Sequence, residues 1–162
     1  MQLTLILQLL VLLTLANGSP VIAKKLLGKF LNQPLDRGTA FFDGQPLFGS
    51  SKTVRGIILS ILTTTGFAPV IGLEWKIGFT VATMAMVGDL FSSFVKRRLR
   101  LAPSSRATGL DQIPECLFPA LACRSVLDLT LIDIVSVVAI FFVGEMMLSR
   151  LLFKWHVRER PF

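Results

Sequence analysis

Long apolar runs recur along this chain, and no other feature narrows the possible folds so far. Residues 2–16 (QLTLILQLLVLLTLA), 56–73, 77–95 and 131–153 each approach the length of a membrane-spanning helix, and 113–130 form a weaker run interrupted by Arg124 and Asp128. A span needs about 20 mostly apolar residues. Hydrocarbon offers backbone N–H and C=O groups no water, so such runs satisfy themselves as helices. With 52% hydrophobic residues in 162, a soluble domain is a poor fit. The expectation is an all-α integral membrane protein with about five transmembrane helices, forming a single domain over 1–162.

The first run has two readings. "LANGS" loosely resembles a signal-peptide cleavage site, but no cationic stretch precedes the apolar residues. We therefore read 2–16 as a transmembrane helix whose end is broken by "NGSP" at Asn17–Pro20, where Gly18 loosens the backbone and Pro20 restricts Ser19. Broken backbone at that depth persists only beside protein or a wet cavity. "EWK" at 74–76 reads as a turn, with Trp75 suited to an interface.

The net charge of +7 is unevenly placed. Fifteen of the 17 Lys and Arg fall in the first loop, the third loop or the C-terminal tail, leaving Lys76 and Arg124 on the other side. Five spans with the N-terminus outside put all fifteen in the cytoplasm. Nucleic acid is not the expected partner, because no recognition motif accompanies the charge. Membrane lipids are, through their anionic headgroups. Cys116 and Cys123 lie seven apart, about 10 Å along a helix, too far for a disulfide. With His156 the sole histidine, no thiolate or imidazole metal cluster is expected.

Three polar constellations interrupt this pattern. In "GDLFSSFVKRRLR" (88–100) the helical period puts Asp89, Ser92 or Ser93, Lys96 and Arg100 on one face. A carboxylate in hydrocarbon costs roughly 2.5–3.5 kcal/mol on insertion scales, so Asp89 needs a cavity, a cation or a metal. A purely structural Asp89–Lys96 contact is the plainer alternative. In the first loop, "DRG" (36–38) and "DGQPLFGSSKTVRG" (43–56) supply Asp36, Asp43, Lys52, Thr53 and Arg55 among glycines. Carboxylates beside cations and hydroxyls suit a metal–triphosphate site, since Mg2+ takes one or two carboxylates plus phosphate oxygens. "FGSSKT" lacks the spacing and the preceding strand of a P-loop. In "SSRATGLDQIPE" (104–115), Asp111 is either a helix N-cap or a metal ligand, with Glu115 one turn on.

"NGSPV" (17–21), "DGQPLFGSSKTVRG" (43–56), "GDLFSSFVKRRL" (88–99), "GLDQIP" (109–114) and the closing "RPF" together resemble the CDP-archaeol synthase family. Its members are membrane cytidylyltransferases related to phosphatidate cytidylyltransferase. Glu115 and Arg124 depart from the pattern. The resemblance implies five transmembrane helices around a polar cavity open to the cytoplasm, with Mg2+ as cofactor and CTP and a lipid phosphate as partners. It implies attack of a lipid phosphate oxygen on the α-phosphorus of CTP, with loss of pyrophosphate. A phosphate monoester is already anionic, so the protein's work is positioning and charge neutralisation. On this reading Asp89 and Asp111, with Asp43, are metal ligands. Lys52, Thr53, Arg55, Lys96, Arg97 and Arg98 hold the triphosphate or nearby headgroups, Lys96 standing with the two aspartates as catalytic. Asn17 lines the cavity near the base. A small transporter component or a non-catalytic lipid-binding protein could also carry Asp and Lys inside a bundle.

Overall fold

The computed structural model of the chain describes residues 1–28, 32–102, 105 and 107–154. Lys29, Arg106, His156, Arg158, Arg160 and "RPF" lie outside the described residues, as do the side chains of Arg150 and Lys154. The described chain forms five helices: α1 (Leu3–Leu27), α2 (Val54–Phe67, extended by a 3₁₀ turn to Ile71), α3 (Trp75–Arg98), α4 (Gln112–Ala122) and α5 (Leu131–Lys154). Two isolated antiparallel bridges, Pro34 with Thr53 and Ala40 with Pro46, are its extended pairings.

α1, α2 with its 3₁₀ turn, and α3 are each long and apolar enough to cross a membrane. On α1, Ile6, Leu9, Leu12, Leu13 and Ala16 are buried, while Leu3, Leu7 and Val11, spaced by four, face outward. An outer face of bare aliphatic side chains suits lipid. Trp75 starts α3 and is half exposed, as an interfacial residue would be.

The fourth passage departs from expectation. The run at 113–130 contains a helix of only 11 residues, Gln112–Ala122, and then turns through 123–130. Eleven residues rise about 16 Å, roughly half of a 30 Å hydrocarbon core. The turns then lead to α5, which begins beside the start of α1. Gln2 N donates to Asp133 Oδ1 (2.9 Å) and Gln2 Nε2 to the Asp128 carbonyl (3.0 Å). Arg124 and Asp128, costly in hydrocarbon, sit in this turning segment.

The expected break at Asn17–Pro20 does not occur: α1 runs unbroken to Leu27 with Pro20 inside it. Pro20 has no N–H for the carbonyl of Ala16, four residues back. Ser60 of α2 donates to that carbonyl instead (2.8 Å). Ser19 Oγ bonds the Leu15 carbonyl (2.6 Å) and pairs with Thr63 Oγ1 (2.8 Å). The neighbouring helix thus repairs what the sequence locally breaks.

α3 lies at the centre, packed against α1, α2 and α4. Two of its glycines set how close the neighbours come. A Cβ on Gly78 would meet Ala68 Cβ at 2.6 Å and the Thr64 carbonyl at 2.8 Å. A Cβ on Gly88 would strike the Pro114 carbonyl and lie 2.8 Å from Glu115 N. Small residues at such crossings let backbones touch, the usual device where helices lack a hydrophobic driving force.

Candidate functional site

The first loop is folded around Asp36. Its Oδ1 accepts from Gly38 N (3.1 Å), and its Oδ2 from Phe48 N (3.0 Å) and Gly49 N (2.8 Å). Burial pushes this carboxyl up, but the three backbone donors outweigh it and hold it below its usual value. Gly49, at φ +91°, turns the chain toward Lys52. The carbonyl of Lys52 bonds Leu35 N (2.7 Å), and Val54 N bonds the Gln33 carbonyl (3.3 Å), fastening this segment to the start of α2.

Lys52 then reaches α3. Its Nζ lies 2.5 Å from both oxygens of Asp89. Burial lowers the affinity of this ammonium for its proton. Asp89, then Glu115, the direct bond to Asp89 and Asp111 reverse that and hold Lys52 above the usual lysine value. Glu115 of α4 is buried on the same side of α3, where its charge acts on Lys52 as well. The approach depends on Gly88, which brings α4 against α3 one residue before Asp89.

A second pair lies about two turns further along α3, toward the same loop end. Lys96 Nζ meets Asp111 Oδ1 at 2.6 Å and also donates to the Ser105 carbonyl (3.1 Å). Ser92 Oγ, bonded to the Gly88 and Leu110 carbonyls (2.9 and 2.6 Å), ties α3 to the turn before α4. Of the two readings of Asp111, the helix cap does not hold. It already has helical backbone angles and makes no capping bond, because Lys96 and the N–H of Ala107 (3.0 Å) take its oxygens. Nor is there an Asp89–Lys96 ion pair: the two residues take different partners.

The other sequence candidates divide. Asp43 stands apart from the Asp89 cluster, exposed at a loop tip and paired with Arg98 Nη1 (2.8 Å). Arg98 lies nine residues beyond Asp89, about 13 Å along α3. Thr53 caps α2, its Oγ1 accepting from Gly56 N (3.2 Å). Arg55 is buried and bonds the Gly28 carbonyl (3.2 Å) and Asn32 Oδ1 (3.4 Å). Arg97 is buried, with Nη2 on the Ala102 carbonyl (2.8 Å). Some buried donors in this half have no protein partner: Asn17 Nδ2, Arg97 Nε, Arg98 Nε and Ser105 Oγ. Orphaned donors at one end of a bundle are what an anionic ligand would satisfy. Glu115 is the residue that sequence reasoning passed over, although an acid in an apolar run was the signal that marked Asp89.

Asp89, Glu115 and Asp111 are hard oxygen donors of the kind Mg2+ takes. Among the described residues, however, no three His, Cys, Asp or Glu converge as a closed metal cage. A divalent ion held by one or two of these carboxylates would fill its remaining positions with water and phosphate oxygens.

The CarS-like CDP-archaeol synthase family model matches residues 66–162. A CDP-archaeol synthase of Sulfurisphaera tokodaii is 33% identical over 152 residues, covering 90% of this chain and 88% of that protein. The chain belongs to the CDP-archaeol synthase family. A second member, from Pyrococcus furiosus, is 43% identical over 107 residues, covering 60% of each chain. The fold has a solved counterpart, an intramembrane enzyme of archaeal membrane-lipid biosynthesis. It aligns with a TM-score of 0.71 at 24% identity, over 86% of this chain and 91% of that one. The Lys52–Asp89–Glu115 cluster and the Lys96–Asp111 pair therefore lie in a CDP-archaeol synthase scaffold, at the loop end of its helices.

Proposed function

We propose that the chain transfers a cytidylyl group from CTP to a membrane lipid phosphate, giving a CDP-lipid and pyrophosphate. The observation that carries this reading is the convergence of two ammonium–carboxylate pairs, Lys52 with Asp89 and Lys96 with Asp111, at the loop end of α3. Membership of the CDP-archaeol synthase family favours this enzyme over a transporter component or a non-catalytic lipid-binding protein.

Lys52 and Lys96 orient and neutralise the triphosphate, exchanging carboxylate partners for phosphate oxygens of the same charge. Asn17 Nδ2, Arg97 Nε and Ser105 Oγ offer further donors around it. Asp89 or Asp111 would hold Mg2+, with water and phosphate oxygens completing its shell. Bound there, the ion would neutralise charge on the α-phosphate and the leaving pyrophosphate. Asp43 belongs to the rim with Arg98 rather than to this group. The acceptor already bears an anionic oxygen, so no strong base is required. The excess of Lys and Arg in the loops at this end supports a cytoplasmic site, where CTP is, with the N-terminus outside.

The test is transfer of label from CTP in purified, lipid-reconstituted protein supplied with Mg2+ and a series of lipid phosphates. Asp89→Asn should abolish CDP-lipid formation while leaving membrane insertion intact. Turnover near that of the unmodified protein would remove Asp89 from the chemistry.

A further inference from the structure

The loop that carries Lys52 has a second feature, unrelated to the carboxylates. Residues 39–47 form a short hairpin, closed by the Ala40–Pro46 bridge and by bonds from Phe41 N to the Gln45 carbonyl (2.8 Å) and Leu47 N to the Thr39 carbonyl (3.1 Å). Its tip is a well-formed turn. Gly44 N bonds the Phe41 carbonyl (2.9 Å), Gly44 takes φ +74°, and Asp43 Oδ1 accepts from Gln45 N (3.0 Å). At that tip Phe42 is 100% exposed.

Arg98, at the end of α3, fixes where the tip sits. Its guanidinium bonds Asp43 Oδ1 (2.8 Å), the Pro46 carbonyl (2.6 Å) and the Gln45 carbonyl (3.3 Å). It also lies 4.7 Å from the ring centre of Phe41 and 4.9 Å from that of Phe94. Phe41 meets Phe94 edge-on at 5.5 Å, and Phe42 meets Phe41 at 5.0 Å. Val87, Phe91, Phe94 and Arg98 follow one helical stripe, and Val87 and Phe91 are among the outward residues of this span. The aromatic series Phe91, Phe94, Phe41, Phe42 thus continues the lipid-facing side of α3 past its end. Leu99 (61% exposed) and the exposed Arg100 follow at the end of α3.

We infer that hairpin 39–47 is a membrane-surface anchor, with Phe42 seated at the headgroup–acyl boundary of the bilayer that α3 crosses. The occupant is the lipid surface itself, for two reasons. The apolar series is continuous with a membrane-spanning face, and the cation at its base, Arg98, suits a headgroup layer. An aromatic tip with a cation at its base is the amphipathic arrangement such a boundary selects. The anchor holds the Lys52 loop at a fixed height over the membrane, the plane in which a lipid phosphate lies. The inference rests on α3 as a span and not on the enzymatic reading.

The test uses the full chain in nanodiscs containing anionic lipid, with Trp75→Phe and Trp155→Phe removing the native indoles. Phe42→Trp should be quenched by lipids brominated near the glycerol end of their acyl chains and shielded from aqueous iodide. Ser51→Trp, in the same loop, should show the reverse. Equal iodide quenching at both positions, with no bromolipid quenching at 42, overturns the anchor. A nitroxide on Phe42→Cys tests this without an indole's own preference for interfaces. Collisions should favour dissolved oxygen over a water-soluble nickel complex, and the opposite ranking overturns the anchor as well. Neither readout requires turnover.

Discussion

Replacing Gly88 with alanine tests whether the Lys52–Asp89–Glu115 cluster depends on how closely α4 approaches α3. The added methyl would strike the Pro114 carbonyl and sit 2.8 Å from Glu115 N, where ordinary contact begins at 3.4 Å. Both obstacles are backbone, so no side chain can rotate away, and α4 must retreat by roughly 1 Å in a densely packed interior. Two effects on stability oppose each other. Alanine gains about 1 kcal/mol over glycine within a helix, and overpacking costs about 1–3 kcal/mol. The net change is a modest loss. Catalysis has no such compensation. A shift of that size carries Glu115 away from Asp89 and Lys52. A misplacement of about 1 Å typically costs on the order of 10²-fold in rate. The assay is kcat for CDP-lipid formation beside thermal unfolding of the same reconstituted sample. Gly144→Ala on α5, where nothing lies within 4 Å of the added methyl, is the control: it should leave kcat unchanged and, free of any clash, raise the unfolding temperature slightly through the helix gain alone. Gly88→Ala protein that retains both its unfolding temperature and its kcat would refute the close-approach argument.

Other perturbations reach different parts of the structure. Lys52→Met leaves Asp89 and Glu115 without their counter-charge and should lower kcat by about 10²–10³-fold, measured by label transfer from CTP; an unchanged rate would place the triphosphate elsewhere. Ser60→Ala strips the Ala16 carbonyl of its donor and should cost about 1–3 kcal/mol, read as a lower unfolding temperature with little change in KM for CTP. Asp36 binds its proton more weakly in the folded loop than its usual value of 3.8. Its hold on Phe48 N and Gly49 N should therefore be complete above that pH and lost as the pH falls below it. Hydrogen exchange at the Gly49 amide follows this directly; protection that disappears well above pH 3.8 would contradict the assignment. Asp36→Asn should loosen the same amides at every pH.

What the sequence disclosed follows from how unusual each residue is in its local setting. Asp89 in an apolar run, and Lys96 two turns on, were conspicuous because charge in hydrocarbon needs a reason. Lys52 stood out within a glycine-spaced loop. Their pairing was not legible. The helical period put Asp89 and Lys96 on one face, but Lys52 arrives from 37 residues away and takes Asp89, leaving Lys96 to Asp111. Loop closure of that kind carries no periodicity. Thr53 looked like a phosphate ligand, and its hydroxyl is used as a helix cap. Asp43 shared a loop with Lys52 but follows the hairpin to Arg98. Glu115 resembled an irregularity beside a proline until Gly88 brought α4 into contact, a consequence of what α3 lacks at that position. The shortness of α4 was hidden because apolar residues continue past Ala122 into the turns.

The Ser60–Ala16 bond has a consequence for how this sequence can drift. Pro20 and Ser60 behave as one inherited unit whose members must change in order. Replacing Pro20 first, by a residue with an N–H, would return to Ala16 its own helical donor and free position 60 to vary. Replacing Ser60 first strands a carbonyl inside the bundle. Lineages that lose the proline can explore α2 more widely, whereas those that keep it should hold a hydroxyl or other donor at position 60.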